Sequence, residues 1–453
     1  MTSDGGRWGG AQAVIDRPAG VAGTARPRTP AALVRRALGG ERLFANAAAL
    51  VINTAATSVL GFVFWVIAAH HHTPTAVGAA SALISVLLIL SGVAQVDLDN
   101  VLARFLPVLR GNAGRLLLGG YAVSALLSVV VSGAVLMVLQ ARADWFPAGH
   151  PAIPWLAATV VAISIFDLQD GALIGLRRAV WIPVENITMG VARVALVALL
   201  GVLAIPNGIF MAWMLPMAVC VVPVNLLMRR LLSQHAAAPA GPRAAIDVRA
   251  IARFAGVDYL GDMLAMGVRH CMPLIITALL GAESNGYFYV AWLIGVTFDG
   301  ALQAVGSSLT AEGAHDPRRL GDLVRGLALR IAAVGVPVIL LVVAAAPLLL
   351  TVVGGAYAQQ ATGLLRLLAL AFIPRAVILL WVSIARVEQR VSRILVMQGC
   401  LAACVLGLSP PLITRLDIAG AGWAYLLAQT AGAAVLLPGT WWRVRRGPRA
   451  GAC

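Results

Sequence analysis

Three arginines and one aspartate stand near the middle of long apolar runs: Arg193, Arg269, Asp299 and Arg375. An ionised side chain at that depth in a bilayer costs roughly 2.5–3.5 kcal/mol on insertion scales, so such residues face a cavity or a partner. Three guanidinium groups against one carboxylate leave the interior net cationic. That sign suits an anionic group such as pyrophosphate, which guanidinium grips through paired hydrogen bonds. The plainer alternative is an internal ion pair, for instance Arg269 with Asp299, while the other arginines snorkel toward the surface. Proline stands close to two of the three. Pro273 cannot donate to the carbonyl of Arg269, and Pro374 releases the carbonyl of Leu370.

Carboxylates form a second set, nearer one end of the runs. Asp258 and Asp262 are one turn apart and share a helix face, which Arg269 continues about 10 Å further along the axis. Asp167 and Asp170 share a face, and Glu185 opens the next run. Asp97 and Asp99 point to opposite sides of one helix, so they do not act as a pair. Asp97, Asp258, Asp262 and Asp299 are the candidates for ion coupling, a proton or Na⁺, or for internal pairing. Most of the carboxylates are expected simply to balance Arg104, Arg177, Arg178 and Arg253. The His70-His71-His72 triplet has no carboxylate or cysteine near it and reads as an interfacial polar cap rather than a metal site. The five cysteines show no metal spacing and no pair in an external loop, and no GxxxxGK[ST] nucleotide loop occurs. No metal, cofactor or catalytic group is expected.

These residues are carried by twelve apolar stretches, at 44–69, 77–101, 116–140, 152–175, 181–205, 207–231, 254–281, 286–311, 327–353, 362–385, 392–413 and 418–442. Each is long enough to cross a hydrocarbon core about 30 Å thick. Spans of this kind are helical, because lipid offers no partner to backbone N–H and C=O groups. All 34 basic residues are arginine, and 28 of them lie at the termini, in alternate gaps or on the turns flanking those gaps. Only Arg142, Arg366 and Arg415 lie toward the other side. The bias puts both termini in the cytoplasm. It also accounts for the net charge of +15 without nucleic acid, since 60% of the chain is hydrophobic and only 12% charged.

The fold class that follows is an all-α polytopic membrane protein of twelve transmembrane helices in two six-helix lobes. Residues 1–43 read as a disordered cytoplasmic extension, 44–231 as the N-lobe, 232–253 as a cytoplasmic linker, 254–442 as the C-lobe and 443–453 as a cytoplasmic tail. The halves align at a nearly constant offset: Gly78 with Gly286, Arg115 with Arg325, Arg177 with Arg386, and Ile205 with Ile418. An even number of spans per half makes the repeat parallel, about an axis along the membrane normal. External gaps of a few residues leave no room for an extramembrane sugar site, so a glycosyltransferase or other enzyme is not expected.

The segments Gly175–Asn186 (GLRRAVWIPVEN), Gly354–Leu370 (GGAYAQQATGLLRLLAL) and Ile418–Ala424 (IAGAGWA), with the opening FVFWVIAAHHHTPTAVGAASALIS and ARFLPVL, resemble oligosaccharide flippases. That family belongs to the multidrug/oligosaccharidyl-lipid/polysaccharide exporter superfamily, and the resemblance spans about residues 44–442. It implies two lobes around a V-shaped, alternating-access cavity. It implies export of undecaprenyl-pyrophosphate-linked oligosaccharide, a surface polysaccharide or cell-wall glycan precursor, across a bacterial plasma membrane. Arg193, Arg269 and Arg375 are the expected substrate-binding residues. The expected partners are the lipid-linked oligosaccharide, membrane lipids and polysaccharide polymerase or export machinery, with a monomeric transporter and no nucleic acid. Two alternatives stand beside it. A cation-coupled multidrug exporter of the same superfamily is disfavoured by the absence of Asp and Glu from 44–69. A non-transporting scaffold of a polysaccharide assembly complex has no need of charge at mid-membrane.

Overall fold

The computed structural model describes residues 52–107, 112–140, 152–237, 248–315 and 320–446. The extension 1–43, the start of the first stretch, Arg142, residues 238–247 of the linker and the end of the tail lie outside these. All regular structure among the described residues is helical. The helices are α1 (Ile52–His71), α2 (Pro74–Gln95), α3 (Leu98–Phe105), α4 (Ala113–Gln140), α5 (Ala152–Gly175), α6 (Trp181–Val202) and α7 (Gly208–Ala237). They continue with α8 (Val248–His315), α9 (Leu320–Arg330), α10 (Val336–Thr351), α11 (Gly355–Val387), α12 (Val391–Leu416) and α13 (Ile418–Arg446).

Eleven of these segments are long and apolar enough to span a membrane, and the chain is a multi-pass membrane protein. One of the eleven, the 42-residue segment Tyr259–Gly300, is two spans in one. Gly281 breaks α8 at φ 88° and ψ 172°, a conformation essentially reserved for glycine. The two arms of α8, 248–280 and 282–315, are the seventh and eighth of the twelve expected spans. The ninth is α9 joined to α10 through a π-turn, Ile331–Gly335.

The second expected stretch, 77–101, is corrected. It ends at Gln95, where Val96 and Asp97 take left-handed conformations (φ 48° and 59°), and α3 begins as a separate short helix. Asn100 Nδ2 donates to Asp97 Oδ1 at 2.7 Å and holds the break. Close packing of α3 on α5 makes the break worth its backbone cost. A Cβ on Gly171 would sit 2.3 Å from the Asp99 carbonyl oxygen, and one on Gly175 would sit 2.6 Å from that of Leu102.

The buried core divides by lobe. One cluster joins Phe64, Ile84, Leu87, Ile163, Met189 and Met217 of the first half. Another joins Met272, Phe288, Trp292, Leu364, Leu368 and Val405 of the second. Helices α1 and α2 bridge them: Phe62 and Val66 pack on the second cluster, and Trp65 meets Tyr289 edge-on at 4.6 Å. The closest approach is between α2 and the start of the second arm of α8. A Cβ on Gly78 would fall 1.7 Å from the Ala282 carbonyl oxygen, and one on Gly286 would fall 2.1 Å from that of Pro74. Asn285 Nδ2 bonds the Gly78 carbonyl at 2.8 Å and Ser81 Oγ at 3.0 Å across the same contact. The two glycines matched by the sequence repeat therefore meet each other's helices, as equivalent points beside a two-fold axis do.

This contact gives a stability test. Gly78→Val forces α2 from α8, and overpacking of this kind costs roughly 1–3 kcal/mol. The variant is expected to melt well below the wild type in detergent. Gly61→Ala, with nothing within 4 Å of the new methyl, is expected to melt with the wild type.

Candidate functional site

A cleft of about 110 Å³ opens inside the C-lobe between both arms of α8 and helices α11, α12 and α13. Its polar lining is Arg269, Asp299, Gln303, Arg375, Gln398, Tyr425 and Gln429. Asp299 and Gln303 are one turn apart on the second arm of α8, and Tyr425 and Gln429 are one turn apart on α13. Each pair therefore presents both members to one side.

The carboxylate is fully engaged. Arg375 Nε donates to Asp299 Oδ1 at 2.9 Å, and Gln303 Nε2 donates to Oδ2 at 2.7 Å. The expected partner of Asp299, Arg269, is not the one it takes. The hairpin geometry of α8 explains this. With the fold at Gly281, Arg269 lies 12 residues before the break and Asp299 18 after it, an offset of about 9 Å along the arms. Trp292, 11 residues after the break, is level with Arg269. Its indole Nε1 donates to the Arg269 carbonyl at 3.1 Å, the carbonyl left open by Pro273.

The Arg269 guanidinium has no hydrogen bond or ion pair among the described residues, although it faces the cleft. On the same wall Gln429 is 4% exposed, and its Oε1 has no donor. The cleft thus holds two guanidinium groups, one carboxylate already occupied, and an amide oxygen awaiting a donor.

The third arginine is elsewhere. Arg193 on α6 donates through Nε to the Trp213 carbonyl on α7 at 2.8 Å, and its guanidinium sits 4.3 Å from the Trp213 ring centroid. It is satisfied inside the N-lobe by a carbonyl and a π-face. The structure brings Arg269 and Arg375 together and leaves Arg193 in the other lobe.

The N-lobe carboxylates form their own network. Gln95 Nε2 donates to Asp167 Oδ2 at 2.6 Å and to Ser91 Oγ at 3.0 Å, and Ser164 links Ser91 (3.1 Å) to Ser128 (3.3 Å). Asn186 Nδ2 donates to Asp170 Oδ2 at 3.3 Å. Asp170 and Glu185 face one another across α5 and α6, and Asp170 Oδ1 and both Glu185 oxygens lack any other donor. Asp99, on α3 outside the spans, is held above the ordinary carboxylate range by burial. These acids do not pair with Arg177 and Arg178, which are exposed. Asp97 is 6% exposed and accepts from Asn100. Asp258 and Asp262 stand on the first arm of α8, with their side chains outside the described residues. Among the described residues no group of three or more His, Cys, Asp or Glu is arranged to hold a metal, and His70 Nδ1 bonds the Val66 carbonyl at 2.8 Å.

Reading only charges within the spans overlooks the amides. Gln303, Gln398 and Gln429 are polar interruptions of apolar helices that all line the cleft, and Tyr425 and Trp292 complete it. Their signal was an uncharged polar group in an otherwise lipid-compatible run.

No protein-family model matches the chain, and no curated protein is similar to it in sequence. Solved structures share its fold. They include the inward-facing conformation of a multidrug resistance MATE family transporter of the MOP superfamily, with TM-score 0.63 and 13% identity over 88% of this chain and 98% of that one. MATE in complex with MaL6 gives TM-score 0.59 and 14% identity over 89% and 96%. A MOP superfamily transporter from Pyrococcus furiosus, whose reversed binding-pocket polarity is described as suggesting a different function, gives 0.61 and 12% over 89% and 95%. The chain has the two-lobed MATE-like fold of membrane transporters.

The cleft pair has a direct test. Asp299→Ala leaves the Arg375 charge uncompensated. The loss is expected to fall below the roughly 3–5 kcal/mol of a fully buried pair, because the side chains retain 22% and 14% exposure. Adding Arg375→Met to Asp299→Ala is expected to recover most of the lost melting temperature. Equal melting of the single and double variants would show that the unpaired Arg375 charge is not the source of the loss.

Proposed function

We propose that this chain is an exporter of the flippase type. It carries an anionic, lipid-linked substrate, in the class of pyrophosphate-linked oligosaccharides, from the inner to the outer leaflet by alternating access of its two lobes. One observation carries the reading: Arg269 faces the C-lobe cleft with no ion pair or hydrogen bond to its guanidinium among the described residues, beside an Arg375 that is paired with Asp299. A phosphate oxygen supplies the acceptor that Arg269 lacks, and a sugar hydroxyl or phosphate O–H supplies the donor that Gln429 lacks. Asp299 fixes the Arg375 fork, and Gln303 fixes Asp299, so the cationic wall is held in place before the substrate arrives. The prenyl tail remains in lipid. With the arginine-rich ends in the cytoplasm, an anion leaving the cell gains roughly 2.3 kcal/mol per charge per 100 mV. Arg193, bound to Trp213, takes a positioning role within the N-lobe in this scheme rather than touching the same phosphate.

The multidrug exporter is the second reading, favoured by the MATE transporters among the structures of like fold. Against it, the cleft's described carboxylate already has two donors, so a cationic drug would have to displace Arg375.

A thermal-shift titration separates the two. The ligands are undecaprenyl pyrophosphate, undecaprenyl monophosphate and a panel of lipophilic cations. The pyrophosphate lipid is expected to stabilise the wild type. Arg269→Ala is expected to weaken that binding at least about tenfold, since a charge-assisted hydrogen bond contributes about 1.5–3 kcal/mol. Stabilisation by cations alone, unchanged in the variant, would overturn the proposal in favour of the drug exporter.

A further inference from the structure

A second opening lies on the outer face of the C-lobe, on the far side of α12 from the cleft. It is a groove of about 640 Å³ between α11, α12 and α13. Its floor is Trp381, Leu401, Ala428 and Gly432, and its rims are Val396, Cys400 and Cys404 on α12 and Val435 on α13. Gly432 is what lets the floor sink. A Cβ there would lie 2.8 Å from Leu401 Cδ2 and 3.3 Å from Ile378 Cδ1. The rims are open, with Val396 67% and Val435 78% exposed.

Polarity is confined to one end, where Ser392 and Arg393 close the groove. Arg393 is exposed and has no ion-pair partner among the described residues. The nearest described acid in sequence, Glu388, is taken by Arg390 at 3.1 Å. Arg386, Arg390 and Arg393 together leave this end net positive against that one carboxylate.

The length of the groove indicates what fits. From Arg393 to Cys404 on α12 is about 16 Å at 1.5 Å per residue. That is close to half of a hydrocarbon core about 30 Å thick. The groove begins at the arginine-rich end and stops near mid-depth, so it covers one leaflet. A partner helix would need the full thickness, and a soluble ligand would meet almost no polar group. A single lipid chain of one leaflet, with a negative headgroup at the Arg393 end, matches both length and charge. The volume lies within the roughly 300–1,000 Å³ of ordinary ligand sites.

We infer that the α11–α12–α13 groove is a binding site for an anionic phospholipid of the leaflet at the arginine-rich end, its acyl chain along Leu401 and Gly432 and its phosphate at Arg393. The site is separate from the cleft at Arg269, with Leu401 forming a wall shared by the two. The inference holds whichever substrate the cleft takes. Seated there, the lipid braces α12 against α13 and couples the lobe to the charge of the surrounding leaflet.

The test is native mass spectrometry of the full-length protein in mixed micelles, with phosphatidylglycerol and phosphatidylcholine as competing probes. The wild type is expected to retain one phosphatidylglycerol through activation energies that strip phosphatidylcholine. Arg393→Ala, and Val435→Trp on the open rim, are each expected to reduce the retained fraction at least fivefold. Arg415→Ala, an exposed arginine at the other end of α12, is expected to leave it unchanged. Melting curves coincident with the wild type exclude misfolding of the variants. Equal retention in all four proteins, or equal retention of the two lipids, would overturn the inference. So would a dimer abolished by Val435→Trp, which would make the groove a protein interface.

Discussion

A guanidinium group deep in a bundle surrounded by hydrocarbon must find an acceptor, and the interior of this molecule is organised around that requirement. Arg193 meets it with a backbone carbonyl and an indole face, and Arg375 meets it with a carboxylate that Gln303 locks from its other oxygen. Arg269 meets it with neither. Its charge is left facing a polar cleft, which is tolerable only where water or a ligand can reach. The asymmetry among three similar residues sets the C-lobe cleft apart from the surroundings of Arg193, and it is the ground for proposing that the cleft takes an anion.

The junction between lobes follows a different economy. Lipid gives two helices little hydrophobic reason to associate, so close approach through small residues and hydrogen bonds must do it. Gly78 and Gly286 provide the approach, and Asn285 provides the bonds. Nothing charged crosses this contact among the described ion pairs. The lobes meet here through van der Waals contact and the two hydrogen bonds of Asn285, with no salt bridge across the contact among the described residues. A junction of that kind is compatible with the alternating access proposed above.

Much of this was legible in the residues alone. Apolar length gave the helices, and the Gly78–Gly286 register anticipated a pair that turns out to meet. The freed carbonyl of Arg269 was visible from Pro273, but its repair by Trp292 was not, because that depends on where the hairpin folds at Gly281. The same fold point sent Asp299 to Arg375 instead of Arg269, a choice governed by about 9 Å of axial offset that spacing within one helix cannot reveal. The break after Gln95 was hidden because Val96 is a poor candidate for a left-handed residue, and only packing of α3 on the Gly171 and Gly175 face of α5 makes it worthwhile. The amides of the cleft carry no charge, so nothing in their residue type sets them apart from other polar interruptions of an apolar helix. The Asp170–Glu185 encounter depended on how α5 and α6 pack, which no single-helix periodicity encodes.

The central proposal is that Arg269, without an ion pair among the described residues, binds the anionic headgroup of a lipid as it crosses the membrane. Reconstitution in liposomes with a fluorescent prenyl pyrophosphate, read by dithionite quenching of the exposed leaflet, addresses it most directly. The account predicts transbilayer movement by the wild type, partial movement by Arg269→Lys and movement at the protein-free rate by Arg269→Ala. Wild-type rates in Arg269→Ala would contradict it and return the cleft to a structural role.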